Sequence, residues 1–144
     1  EIVVTVPKHS IPTVIAEAGL AGSSGWVEVS PRSLETQHPG VYAVGDVNMV
    51  PMANGRGLPK AGVFASSEGE AVGRKIAATI NGTGPAEDFD GVGHCFIAYS
   101  GTLAGLVRGQ FLAEGKPNVK FRPPTARGFQ AKERFERDWR RFRI

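Results

Sequence analysis

The segment that most constrains the fold is VFASSEGEAVGRKIAATI, residues 63–80, which predicts the longest helix of the chain. Its apolar side chains recur near one face: Ala65, Val72, Ile76 and Ile80. Asn81 and Gly82 supply the stop signal. Gly69 and Gly73 lower helix propensity but permit another backbone to approach. The pair therefore predicts close packing of this helix on a sheet.

The residues before this helix predict shorter elements. IVVTV, residues 2–6, is β-branched and indicates a buried strand. Residues 12–18 predict a short helix that stops at Gly19. GWVEVS, residues 25–30, indicates a short strand near a sheet edge, and the apolar run at 41–45 predicts a further strand.

The residues after the long helix predict a small antiparallel sheet. HCFIAYS and TLAGLVRGQFLAE are expected to form two strands joined at Gly101, and NVKFR a third strand that ends at Pro123. Residues 128–143 predict a closing helix with an aromatic stripe: Phe135, Trp139 and Phe142. The fold class is therefore α/β to α+β, divided into residues 1–82 and 83–144.

Composition narrows the class of protein. The chain has 144 residues, 41% of them hydrophobic, and contains no uninterrupted apolar run of about 18 residues, which is the length a membrane helix needs. Residues 127–144 hold seven basic and three acidic residues, whereas the rest of the chain is close to neutral. The net charge of the whole chain, +3, therefore arises from this tail. Because the positive charge is confined to the tail, the sequence argues against nucleic acid as a partner of the whole chain.

The single cysteine, Cys95, excludes an internal disulfide and indicates a reducing compartment, so we expect a cytoplasmic protein. The first residues, Glu1 to Val4, lack a signal-peptide pattern and begin within a predicted strand. This beginning suggests a piece of a longer chain. The three histidines, His9, His38 and His94, have no ligand spacing, and we expect no metal site.

The strongest candidate for ligand chemistry is the strand end at Gly45 and Asp46. Ligands of open α/β sheets bind outside the carboxyl ends of strands, where a carboxylate can accept a hydrogen bond from a ribose or ribityl hydroxyl. Asp46 could equally cap the turn by bonding backbone groups within two or three residues. The residues alone leave both roles open.

Two further features could carry chemistry. Lys60 precedes the long helix that Ala61, Gly62 and Val63 open, and a helix start favours electron-rich oxygens or a ring that gains negative charge. The alternative is a solvated lysine. Cys95 is either a redox thiol or a small buried hydrophobe, and His94 is poorly placed to activate it because neighbours on a strand point to opposite faces.

The terminal helix also has two interpretations. Its aromatic stripe could dock on the small sheet, leaving the arginines solvated. Alternatively, residues 128–144 could lie on an anionic membrane surface as a peripheral contact, on the inner membrane face. Docking is the interpretation that the sequence favours.

The order VYAVGDV, LPKAGVFASSEGEAVGRKIAATI and FDGVGHCFIAYSG resembles the C-terminal part of the FAD-dependent pyridine nucleotide-disulfide oxidoreductases. The closest branch is the sulfide:quinone oxidoreductase-like proteins, related to flavocytochrome c sulfide dehydrogenase and type II NADH dehydrogenase. The resemblance covers nearly the whole chain, including the ending KERFERDW. The glycine fingerprint for the FAD pyrophosphate is absent from these residues.

The resemblance implies roles for the candidate residues. Asp46, beside Gly45, would hydrogen-bond the ribityl chain of FAD, and the backbone of Val47 would approach the phosphate side. Lys60, Ala61, Gly62 and Val63 would face the pyrimidine edge of the isoalloxazine. Cys95 matches the second redox cysteine of true sulfide:quinone oxidoreductases, whose partner cysteine would lie outside this chain.

The implied function is that of a flavoprotein oxidoreductase. A parent protein would pass electrons from sulfide or a nicotinamide through FAD to a quinone-type acceptor, with catalytic roles for Cys95 and Lys60. We expect residues 1–82 to be the end of the FAD/NAD(P)-binding domain and residues 83–144 an interface domain of a homodimer. The isolated chain holds few of the FAD contacts, so we expect it to lack FAD and activity. The alternative is a non-catalytic dimerisation or membrane-surface module.

Overall fold

A computed structural model describes residues 2–141. These residues form a mixed α/β structure with a three-stranded antiparallel sheet and a closing helix, as the sequence predicts. The elements are α1 Thr13–Glu17, β1 Val27–Glu28, β2 Asn48–Met49, α2 Gly62–Asn81, β3 Val92–Ala98, β4 Ala104–Gln110, β5 Asn118–Thr125 and α3 Ala126–Arg141.

Helix α2 has the predicted ends but a different buried face. It stops at Gly82, whose φ of 63° is the left-handed conformation that glycine favours. Its buried residues are Phe64, Glu68, Ala71 and Val72. Ile80 is 78% exposed and Ile76 is also exposed, so the predicted apolar face is wrong for both isoleucines.

The two helix glycines do not mediate close packing. Apart from the helix's own nearby backbone, no atom of the described residues lies within 4 Å of the position that a Cβ would take at Gly69 or Gly73, so that prediction is wrong. The reason is helical geometry, because spacings of three and four place both glycines on the outer face with Ile76 and Ile80. This face of α2 therefore has room for larger side chains.

The antiparallel sheet has the order β3-β4-β5, with Cys95 opposite Val107 and Val107 opposite Phe121. Strand β5 was predicted to end before Pro123 but continues to Thr125. Proline is tolerated there because β5 is an edge strand, and the pairing with β4 shifts register at this point.

Two predicted strands in the first part of the chain do not form. Residues 2–6 are exposed, with Ile2 92% exposed, and form no strand with any described residue. β-branched residues favour an extended backbone, but a strand also needs a ladder partner. In residues 41–45 only Tyr42 forms a bridge, to Glu35. Parallel pairing instead begins after Asp46, where Val27 lies opposite Asn48.

The hydrophobic core extends across the predicted domain boundary at residue 82. It joins residues from both sides of that boundary: Val27, Leu34, Val50, Phe64, Phe89 and Leu112. Phe64 packs edge-on against Phe111, with ring centroids 4.9 Å apart. The division into two domains stays a prediction, and the two parts share one core.

Helix α3 docks on the sheet, as the aromatic stripe predicts. The Phe135 ring lies 5.3 Å from the ring of His94 and 5.7 Å from that of Phe96, measured between centroids. Trp139 follows at 5.4 Å from Phe135. The third member of the stripe, Phe142, lies outside the described residues.

Candidate functional site

A single turn of 3-10 helix, Gly45–Val47, presents Asp46 to solvent. Gly45 has a φ of 74°, a conformation that side chains other than glycine adopt at a cost. The turn connects the extended Val44 to strand β2. Asp46 therefore lies on a sharp turn before β2, whereas the sequence predicted it at the end of a strand.

Glu68 ties this turn to helix α2. Its side chain is buried, with the residue 2% exposed, and its Oε2 accepts hydrogen bonds from the Gly45 N–H at 2.6 Å and from Asn48 Nδ2 at 2.8 Å. Asn48 Nδ2 also donates to the Ala43 carbonyl at 3.0 Å. Burial raises the pKa of Glu68 despite these donors.

Glu68 and Asn48 are site residues that the sequence predictions missed. A signal existed, because Glu68 lies four residues after Phe64 and three before Ala71, on the buried face of α2. A buried carboxylate needs hydrogen-bond donors, and a glycine-containing turn supplies one from its backbone. A glutamate on an apolar helix face is thus a clue to a fixed turn nearby.

Lys60 binds the other side of the same turn. Its Nζ donates to the carbonyl oxygens of Asp46 and Asn48, both at 2.7 Å, and lies 3.8 Å from the centroid of the Trp26 ring. Burial lowers the pKa of Lys60, while the charges of Asp46 and Glu68 oppose this effect. An ammonium has three donors, so two of them are used in holding the turn.

All the predicted site residues except Gly45 line two neighbouring cavities. The first, here called the turn cavity, has a volume of about 490 Å³ and includes His9, Trp26, Asp46, Val47 and Lys60 in its lining. The second, the helix-start cavity, has a volume of about 460 Å³. It is lined by three groups: Ala61–Val63 at the start of α2, His94–Phe96 of β3, and Lys132, Phe135, Glu136, Trp139 and Arg140 of α3.

The helix-start cavity brings Cys95 and the opening of α2 to one place. No described side chain caps α2 at Ala61, and the Phe64 N–H donates to the Ala61 carbonyl at 3.0 Å. Among the described residues, the N–H groups of Gly62 and Val63 therefore remain available to an acceptor. A Cβ at Gly62 would lie 3.7 Å from Trp139 Cζ2, which leaves ordinary contact distance across the cavity wall. The cavity thus combines donors and the partial positive charge of a helix start with aromatic walls.

Cys95 is exposed, and its Sγ lies 3.6 Å from the Phe96 carbonyl oxygen. The alternative of a buried cysteine is therefore wrong. His94, its neighbour, is half-buried against α3, and burial together with the charge of Arg108 lowers the pKa of His94. The imidazole packs with the aromatic rings of Phe96 and Phe135.

Residues 2–141 lack two other features that would indicate a function, a cluster of metal ligands and a membrane-spanning helix. No group of three His, Cys, Asp or Glu residues there could hold a metal ion. None of the helices in this part of the chain is long and apolar enough to cross a membrane.

Comparison with protein-family models and with curated proteins found no match to this chain.

Proposed function

We propose that this chain is the C-terminal part of an FAD-dependent oxidoreductase, of the sulfide:quinone oxidoreductase-like branch. The parent protein passes electrons from sulfide or NAD(P)H to a quinone-type acceptor. The observation that carries the proposal is the helix-start cavity, in which an exposed thiol, Cys95, shares an apolar space with the uncapped start of α2.

The residues present fit part of an FAD site. Asp46 is exposed on the wall of the turn cavity, and a carboxylate there suits the hydroxyls of a ribityl chain. The start of α2 offers backbone N–H groups to an electron-rich oxygen. FAD, when bound, would supply the redox chemistry by accepting an electron pair and passing it on.

Each residue then has a defined task. Asp46 orients the cofactor by accepting hydrogen bonds, and Val47 contributes backbone beside it. Gly62 and Val63, with Ala61, stabilise negative charge that develops near the helix start. Lys60 acts mainly by holding the turn, since its ammonium already donates to two carbonyl oxygens there.

Cys95 is the proposed redox thiol, and its disulfide partner would be a cysteine of the parent protein outside these residues. Thiol chemistry requires access, and Cys95 is exposed at the cavity. The aromatic walls, which include Phe96, Phe135 and Trp139, suit a flat apolar acceptor such as a quinone ring. The chain on its own is proposed to be inactive.

The proposal is tested by substituting Asp46 in the longer protein. Asp46→Ala removes the ribityl acceptor, and we expect FAD to dissociate about ten times more readily, because a hydrogen bond to a charged group is lost. Asp88→Ala is the control, since Asp88 is an exposed carboxylate whose ion pair, with Lys75, lies outside both cavities. Equal FAD affinities in both variants would contradict the assignment of Asp46.

A second candidate function is a dimerisation or membrane-surface module in the cytoplasm. The observation favouring it is the exposed apolar segment at residues 2–6, together with the basic residues of α3. Sedimentation of the chain and its binding to anionic vesicles would test it. A chain that dimerises while the longer protein takes up no flavin would favour this function over the first.

A further inference from the structure

A basic cluster on the small sheet lies outside both cavities described above. Arg108 of β4 pairs directly with Lys120 of β5, and two positions along, Leu106 pairs with Arg122. Directly opposed residues of an antiparallel pair share one face of the sheet, as do residues two apart on one strand. The register therefore places Arg108, Lys120 and Arg122 side by side on the same face.

These three cations line a cavity of about 380 Å³, which is within the usual range of ligand clefts, about 300–1,000 Å³. Its other lining residues are Gly109, Gln110 and Asn118. The Gln110 side chain is fixed, because its Nε2 donates to the Asp90 carbonyl at 2.6 Å and its Oε1 accepts from the Leu112 N–H at 2.8 Å. The lining contains no acidic or aromatic side chain.

None of the three cations forms an ion pair with a carboxylate in the described part of the chain. The ion pairs within residues 2–141 use other cations: Arg74, Lys75 and Lys132. Like charges placed directly opposite on a sheet destabilise it. Arg108 also lies directly opposite His94 of β3, and its positive charge contributes, after burial, to lowering the pKa of His94.

We propose that this cavity is a binding site for a phosphate monoester, held by Arg108, Lys120 and Arg122. Guanidinium groups match the geometry of phosphate oxygens and can donate two parallel hydrogen bonds, while the lysine adds a point charge. The volume leaves room for a small organic remainder beside the phosphate. The absence of aromatic lining argues against single-stranded nucleic acid, which stacks its bases on such side chains. This site is independent of the proposed flavin function.

The probes are glycerol 3-phosphate and, separately, vesicles of phosphatidylcholine containing phosphatidic acid. Glycerol 3-phosphate binding is followed on the intact chain by the amide NMR shifts of Gly109 and its neighbours. We expect a saturable shift whose affinity falls as salt is added, because the ligand is held by charge. Lys120→Gln and Arg122→Gln should each weaken binding about tenfold, and Lys120→Arg should retain it.

The matched control is Lys116→Gln, which removes an exposed lysine on the approach to β5 but outside the cavity. It should bind glycerol 3-phosphate as the unsubstituted chain does. Equal losses in Lys116→Gln and Lys120→Gln would overturn the proposal, as would the absence of any saturable shift. Vesicle binding that depends on Lys120, without binding of the soluble ester, would identify a lipid surface and would also overturn it.

Discussion

Replacing Glu68 by leucine tests the bond network that fixes the Asp46 turn. In the native structure the buried Glu68 carboxylate accepts from the Gly45 N–H and from Asn48 Nδ2. Leucine has a similar size but no acceptor, so the Gly45 N–H and one Asn48 bond lose their partner. The substitution therefore removes the link between α2 and the turn while leaving a filled core.

The magnitude follows from the number of donors left without a partner. Each buried donor without an acceptor costs about 1–3 kcal/mol. Asn48 keeps its bond to the Ala43 carbonyl, and leucine gains some apolar burial, so both effects reduce the total. We expect Glu68→Leu to lower the free energy of unfolding by about 2–4 kcal/mol.

The assay is urea unfolding followed by fluorescence, with Glu70→Leu as the control. Glu70 lies on the same helix but is exposed and ion-paired with Arg74 at 3.6 Å, so its replacement should change stability by less than about 1 kcal/mol. The Gly45 amide proton should also shift in the Glu68 variant and not in the control. If both variants lose the same stability, Glu68 does not hold the turn.

Glu68→Gln tests how the stability of the chain depends on pH, and the sign of that dependence is defined. The pKa of Glu68 is raised in the folded state, so this carboxyl binds its proton more tightly there than in the unfolded chain. Its contribution to stability is therefore fully present below the ordinary pKa of 4.5 and is lost as pH rises through the raised pKa. The glutamine variant, which does not titrate, should become relatively more stable over that rise, and a constant difference would contradict this.

Three further predictions concern the packing around Gly93 and Gly69, the exposure of Cys95 and the titration of His94. Gly93→Ala should lower the free energy of unfolding by about 1–3 kcal/mol, because the new Cβ would clash with Cε1 of the buried Phe64. Gly69→Ala should instead raise it by about 0.5–1 kcal/mol, because the outer face of α2 is open there. Urea unfolding measures both changes, and the reverse order of stabilities would contradict the packing. In the folded chain, Cys95 should consume one equivalent of a thiol reagent, because it is exposed. A reaction that occurs only after denaturation would show that Cys95 is buried. Because the pKa of His94 is lowered from 6.5, stability should fall as pH drops below that value, and His94→Phe should lessen the fall; an unchanged pH profile of unfolding would refute it.

The elements set by local sequence were the predictable ones. Helix α2 and its stop at Gly82, the short α1, and the hairpin around Gly101 follow from periodicity and turn residues close in sequence. Residues 2–6 and 41–45 failed because strand formation depends on a pairing partner, which β-branched composition does not specify. Local composition thus indicated strand propensity but could not identify the segment that a strand would pair with.

The site was predictable in its residue types but not in its arrangement. The sequence indicated Asp46, Lys60, the start of α2 and Cys95 as candidates, and the structure distributes them between two neighbouring cavities. The orientation of Lys60 depends on the turn at Gly45–Val47, where the sequence predicted only the end of a strand. The link from Glu68 to Gly45 joins residues 23 positions apart, a distance at which a sequence pattern carries no direct signal.

We propose that Asp46 and the start of α2 form part of an FAD site in a longer flavoprotein. The most direct measurement is the visible absorption of that full-length protein as purified, followed by extraction and identification of any bound cofactor. We expect bound FAD, with an absorption band that bleaches when sulfide or NAD(P)H is added. A full-length protein that purifies without flavin, and takes up none when FAD is supplied, would contradict it.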